Sequence, residues 1–67
     1  MLAAEINASQ VLFNLSRAYY SDNQWEMGEE YFQRLRNLSP RSEYVAYLMK
    51  LRAALQLQRQ MLKHRVN

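Results

Sequence analysis

The spacing of apolar residues along the first part of the chain predicts a helix. Between residues 9 and 20 apolar side chains recur at intervals of three and four, the period of a helix with one buried stripe. The alternation expected of a half-buried strand is absent. The helix is predicted from about residue 7 to 21, with Asn7 as N-cap and Gln10 three residues later as its capping partner. Residues 2 to 8 also favour a helix, so an earlier start is the alternative. The stripe consists of Leu12, Leu15, Ala18 and Tyr19.

A second helix is predicted from about residue 24 to 37. Ser21, Asp22 and Asn23 interrupt the apolar pattern with residues that favour turns. Asn23 and Glu26 resemble a capping box. The apolar period then continues through Trp25, Gly28, Phe32 and Leu35, and the helix ends with Arg34 and Arg36 near its negative pole.

The third predicted helix, from about residue 41 to 64, is much longer than the other two. Ser39 and Pro40 suit the N-cap and first helical position, and no helix breaker follows as far as Lys63. At 1.5 Å per residue this helix is roughly 36 Å long, against about 20 Å for each earlier helix. About ten of its residues are therefore expected to extend beyond the helical hairpin.

The first two helices resemble a tetratricopeptide repeat (TPR), whose pattern is W-x2-L-G-x2-Y, then A-x3-F, then P. The chain departs from this pattern with Ser16 for glycine, Gly28 for alanine and Leu35 for a smaller residue. Only one repeat, about residues 9 to 42, is complete, and the third helix looks like a capping helix. The expected fold is all-α, and the resemblance implies a TPR-like antiparallel hairpin followed by a long third helix. Because such repeats normally need about three copies to be stable, a lone repeat is expected to be either a fragment or half of an assembly. Apolar side chains left exposed on the third helix favour a homodimer. The residues at the family's spacing are Leu12, which stands in the tryptophan place, Leu15, Ser16, Tyr19, Gly28, Phe32 and Pro40.

Chain length also points to assembly. A single domain of 67 residues buries a modest share of its surface and is marginally stable alone. Cysteines are absent, so disulfides cannot stabilise it. The remaining route to stability is burial against a partner or a second copy. Whether the sequence is a natural short protein or a piece of a longer repeat array stays open.

In TPR proteins the first helix of a repeat lines a groove that holds a peptide or a partner helix. The resemblance therefore implies a partner-binding groove formed by the first and third helices. The alternative is that these are ordinary helix-surface residues, because scattered apolar exposure is normal. The implied groove residues are Gln10, Phe13, Asn14, Arg17, Tyr20, Tyr44, Tyr47 and Leu51.

The third helix is predicted to be amphipathic and basic. All six acids lie before residue 44, so the C-terminal part of the chain carries only positive charge. Self-association is expected through Leu48, Leu55, Leu57, Met61 and Leu62, and the basic face is expected to carry Arg52, Arg59 and Lys63. A hetero-partner or a missing next repeat would explain the same apolar face.

The sequence thus predicts a non-catalytic protein-interaction module, a TPR-like scaffold or chaperone-like binder of a peptide or helix that self-associates. The alternative function is a basic helical module on nucleic acid or an anionic membrane, both expected to be unlikely partners. No catalytic constellation, metal site or cofactor motif is recognisable, and His64 is expected to interact with a helix C-terminus. The N-terminus lacks signal-peptide features, so a cytoplasmic location is the default expectation.

Overall fold

The computed structural model describes residues 7–65, which form three α-helices. They are α1 (Ala8–Ser21), α2 (Trp25–Leu38) and α3 (Glu43–Arg65). Within residues 7–65 there is no strand. The all-α class predicted from the apolar period is therefore confirmed, and α3 begins two residues later than expected.

Two of the three predicted helix starts use different residues from those expected. Asn7 Oδ1 accepts the backbone N–H of Ser9 at 2.9 Å, as predicted. The predicted capping box at Asn23 is wrong. Asn23 has a φ of 65°, and Gln24 is the N-cap without a side-chain hydrogen bond. A left-handed residue completes the tight α1–α2 turn, which removes Asn23 from the capping position.

The predicted N-cap at Ser39 is also wrong. The N–H of Ser39 donates to the carbonyl of Leu35 at 2.8 Å and so closes α2. Ser42 begins α3 instead, because its Oγ accepts the N–H of Tyr44 at 2.9 Å. Pro40 lies in the turn between them. The hydroxyls of Ser9 and Ser39 lie 2.6 Å apart and link the start of α1 to the end of α2.

The core lies where α3 crosses the α1–α2 hairpin. α1 and α2 approach closely at two small residues, where Ser16 Oγ donates to the carbonyl of Gly28 at 2.9 Å. Ser16 is fully buried, so this bond also satisfies its hydroxyl. The buried apolar side chains are Tyr20, Phe32, Leu35, Val45 and Leu48.

Only the first part of α3 contributes to this core. Successive contacts pair Phe13 with Tyr44 and Tyr20 with Arg52, so α3 runs in the same direction as α1. Every side chain from residue 56 to 63 is exposed. The second half of α3 therefore presents its surface to solvent.

Candidate protein-interaction surfaces

An aromatic cluster connects α1 and α3 on one side of the molecule. The ring of Phe13 stacks on Tyr44 with centroids 4.7 Å apart and meets the edge of Tyr47 at 5.4 Å. The guanidinium of Arg17 lies 5.4 Å from the centre of the Phe13 ring. Both contacts are in the range of favourable aromatic and cation–π geometry. We call these four residues, Phe13, Arg17, Tyr44 and Tyr47, the aromatic face.

The aromatic face is anchored on the core and open to solvent. Phe13 and Tyr44 are half-buried and pack against the core, as does Leu51. Tyr47 is 51% exposed, and Arg17 is also exposed. Gln10 and Asn14 are exposed on α1, the helix that carries Phe13 and Arg17. Most of the predicted groove residues therefore have some access to solvent, whereas Leu51 mainly supports the core.

Tyr20 is an exception, and its assignment to the groove is wrong. Its side chain is only 3% exposed and belongs to the core. The phenol donates to Glu29 Oε1 at 3.3 Å and accepts from Arg52 Nε at 3.1 Å. Arg52 in turn donates to both carboxylate oxygens of Glu29, at 3.1 and 2.7 Å. Tyr20 thus connects the three helices through its hydroxyl.

The protonation of this triad follows from its surroundings. Burial and the negative charge of Glu29 raise the pKa of Tyr20 to about 12. The hydrogen bond to Glu29 raises the pKa of Arg52 above its usual value. Tyr20 is therefore neutral and Arg52 is charged at physiological pH, which suits a structural hydrogen-bond network.

The predicted basic face is corrected by the same contacts. Arg52 is half-buried, lies 4.7 Å from the Phe32 ring centre and pairs with Glu29 across the helices. Arg59 lies 4.9 Å from the ring centre of Trp25, although it remains exposed. Lys63 is exposed. The side chain of His64 lies outside the described residues.

Sequence reasoning missed this use of Arg52 because its partner is 23 residues away in the chain. Only the packing of α3 on α2 brings the two charges together. No short-range spacing in the sequence predicts the pairing of Arg52 with Glu29.

The predicted self-association residues divide into two groups. Leu48 is fully buried within the chain, so assigning it to a copy-to-copy contact is wrong. Leu55 is half-buried against the core, so its part in such a contact stays a prediction. Leu57, Met61 and Leu62 are 59%, 56% and 54% exposed. These three remain accessible to a partner.

An apolar row on α3 was only partly predicted, because Leu57 and Met61 were named for self-association but Met49 and Ala53 were not. Met49 is 51% exposed, and with Ala53, Leu57 and Met61 it forms a row at spacings of four residues. Such residues lie along one ridge of a helix. We call this row the outer ridge. Ala53 is exposed, as are the nearby alanines Ala46 and Ala54. The four-residue spacing of these positions could have predicted the row. The same helix carries a second apolar stripe, which packs on the hairpin, and the two stripes are hard to separate in the sequence.

A pocket of about 270 Å3 lies where the exposed part of α3 passes the α1–α2 turn. Trp25, Leu55 and Leu62 supply apolar lining, and the guanidinium of Arg59 lies 4.9 Å from the Trp25 ring centre. The pocket combines apolar walls with a few polar groups. Its lining residues are Tyr20, Ser21, Asn23, Trp25, Leu55, Gln58, Arg59 and Leu62.

Metal-binding clusters, membrane-spanning helices and similarity to known proteins were also considered for the described residues. Within the described part of the chain, no group of three or more His, Cys, Asp or Glu residues is arranged to hold a metal ion. Among the helices of residues 7–65, none combines the length and hydropathy needed to cross a bilayer. Comparisons with protein-family models, curated proteins and solved structures found no significant match for this chain.

Proposed function

We propose that the chain is a non-catalytic protein-interaction module that binds a peptide or helix on the aromatic face and associates with itself through α3. The carrying observation is the contact of the Phe13 ring with Tyr44, with Tyr47, which stays half exposed, and with the exposed guanidinium of Arg17. Rigid aromatic side chains and arginine are the residues that most often dominate binding energy at protein interfaces.

The composition of the aromatic face defines the class of ligand. The exposed ring surface of Tyr47 favours an apolar side chain, and the guanidinium of Arg17 favours a carboxylate. A peptide that carries an apolar residue next to an acidic one satisfies both groups. The resemblance of residues 9 to 42 to a TPR, which is a property of the sequence, is the basis for proposing a scaffold or chaperone-like role in which the module shields such a segment.

Self-association is supported by the apolar surface left on α3. Leu57, Met61 and Leu62 are each more than half exposed, and Met49 adds a fourth such side chain. Fully burying one side chain of this type stabilises a complex by about 1.5–3 kcal/mol. These side chains are already about half buried in the single chain, so burying the rest contributes about 1 kcal/mol each. Four in each of two copies give at most about 8 kcal/mol, and association costs at least about 4 kcal/mol, so at most about 4 kcal/mol remains, which corresponds to a dissociation constant of about 1 mM.

Peptide binding is tested by selecting from a displayed random peptide library and measuring the selected peptides by fluorescence anisotropy. We expect enrichment of apolar–acidic pairs. Tyr47→Glu and Arg17→Glu are each expected to weaken binding about 10-fold or more, because each places a negative charge beside the ligand carboxylate.

Matched controls exist for both variants. Val11→Glu changes an exposed apolar residue of α1 outside the aromatic face. Arg34→Glu removes an arginine that lies 5.4 Å from the Tyr31 ring, the same geometry as Arg17 over Phe13. Both controls are expected to bind normally. Selected peptides that bind all four variants equally would refute the aromatic face as the binding site.

The alternative function, a basic module for nucleic acid or anionic lipid, has less support. Arg52 is paired with Glu29, and Arg59 lies over Trp25, so two of the three basic-face residues make contacts within the chain. Binding to DNA, RNA or phosphatidylserine vesicles that weakens steeply with salt would favour this alternative.

A further inference from the structure

The outer ridge of α3 has the properties of a contact between two helices. It is defined by Met49, Ala53, Leu57 and Met61, all of which are exposed. Ridges at four-residue spacing interdigitate when two helices pack, and small residues let the two backbones approach. Ala53 supplies such a small residue at the middle of the ridge, next to Leu57.

The order of residues along the ridge favours one direction of pairing. When two copies of α3 run antiparallel about a twofold axis at the level of Leu55, Ala53 faces Leu57 of the other copy and Met49 faces Met61. A small residue thus meets a large one at the centre, which fills space without overlap. A parallel pairing in register places Ala53 against Ala53 and leaves a gap beside the leucines.

The positive charge of Lys50 also favours the antiparallel pairing. Lys50 is exposed and projects on the same side of α3 as the outer ridge. In the antiparallel pairing Lys50 lies opposite Gln60, whereas the parallel pairing places two Lys50 side chains opposite each other. The parallel pairing also aligns the two helix dipoles, and both effects are unfavourable.

We infer that two copies of the chain associate antiparallel along the outer ridge of α3, with Ala53 of each copy packed against Leu57 of the other. This pairing rests on the self-association proposed above and specifies its surface and direction. It leaves the core contacts of Leu48 and Val45 unchanged, because those side chains face the hairpin. It also leaves Phe13 and Arg17 on α1 outside the contact.

The surface is tested by sedimentation equilibrium of the full chain at concentrations from the micromolar to the millimolar range. We expect a dimer for the wild type and a shift towards monomer, by at least 10-fold in dissociation constant, for Leu57→Glu. Leu38→Glu is the matched control, because Leu38 is 53% exposed on α2 and lies outside the ridge. Circular dichroism verifies that both variants fold.

The direction is tested by disulfide trapping, for which the chain is suited because it has no cysteine. Residues 49 and 61 of one helix are about 18 Å apart along its axis at 1.5 Å per residue. A mixture of the Met49→Cys and Met61→Cys chains is expected to form mixed disulfides. Neither variant alone is expected to do so, because equal positions on antiparallel copies lie too far apart for a bond.

The outcomes separate the two proposals. A monomeric wild type overturns self-association and this pairing together. A dimer that resists Leu57→Glu overturns the outer ridge and leaves self-association through another surface. Disulfides formed by Met49→Cys alone overturn the antiparallel direction and indicate a parallel pair.

Discussion

The ring of Tyr20 lies against the backbone of Gly28, at the point where α1 and α2 come closest. A Cβ atom on Gly28 would be 2.7 Å from Tyr20 Cε1 and 2.9 Å from Cγ, closer than such atoms approach in proteins. The ring has little freedom to move, because its hydroxyl is hydrogen-bonded to Arg52 and Glu29. Gly28 is therefore required by packing, although glycine disfavours a helix.

Gly28→Ala is predicted to destabilise the fold. Alanine improves helix propensity by about 1 kcal/mol, whereas overpacking a fixed ring costs about 1–3 kcal/mol or more. We expect a net loss of about 1 kcal/mol in the free energy of unfolding, measured by urea denaturation. Gln33→Ala, at an exposed position of α2, is the control for propensity and is expected to change little. A more stable Gly28→Ala variant would contradict the close contact.

The pairing of Arg52 with Glu29 is predicted to stabilise the packing of α3 on α2. The two side chains are 25% and 24% exposed and form two direct hydrogen bonds, which favours a stronger interaction than a surface pair has. A double-mutant cycle with Arg52→Met and Glu29→Gln is expected to give a coupling energy of about 1–2 kcal/mol.

The surface pair Arg34–Glu30 provides the comparison for this cycle. Its side chains are 59% and 48% exposed, and the residues lie one helical turn apart. Pairs of this kind contribute about 0.3–0.5 kcal/mol. If both cycles gave equal coupling energies, the Arg52–Glu29 pair would have no special role in the fold.

Alkaline pH is predicted to destabilise the chain partly through Tyr20. Its pKa is about 12 in the folded protein and near 10 when unfolded, so between these values the unfolded state has lost a proton that the folded state retains. The contribution of Tyr20 to stability is complete below pH 10 and decreases as the pH rises towards 12. Tyr20→Phe is expected to show a smaller loss of stability over this interval than the wild type.

The fluorescence emission of Trp25 is predicted to depend on its contact with Arg59 of α3. It is the only tryptophan in the chain, and the guanidinium of Arg59 lies 4.9 Å from its ring centre. Arg59→Gln is expected to shift Trp25 emission to longer wavelength and to cost about 0.5–1 kcal/mol of stability, because a partly exposed cation–π contact is lost. Lys63→Gln, one turn further along, is the control and is expected to leave the emission unchanged.

The helices themselves could be predicted from the sequence with little error. The apolar period, the absence of breakers within each segment and the cap at Asn7 are local properties, so they determine α1 almost completely. The close approach at Ser16 and Gly28 was also predictable, because small residues on facing helices permit it. The starts of α2 and α3 were less predictable. Gln24 and Ser42 occupy the N-cap positions because of the geometry of the preceding turns, and no short sequence motif specifies that geometry.

The candidate surfaces were only partly predictable, because exposure depends on how α3 lies across the hairpin. Helical spacing alone could not distinguish Tyr47, which is half exposed, from Leu48, which is fully buried one residue later. It also placed Tyr20 at the surface and Arg52 in solvent, whereas the structure buries the first and pairs the second with Glu29.

The sequence by itself determined the local features of this protein: three helices, their approximate bounds and the excess of apolar surface on the last one. These follow from interactions between residues within about four positions of one another. Only the tertiary structure decided which apolar side chains remain exposed and which charges are paired. Contacts such as Tyr20–Arg52 join residues 32 positions apart, and they exist only once the helices have packed.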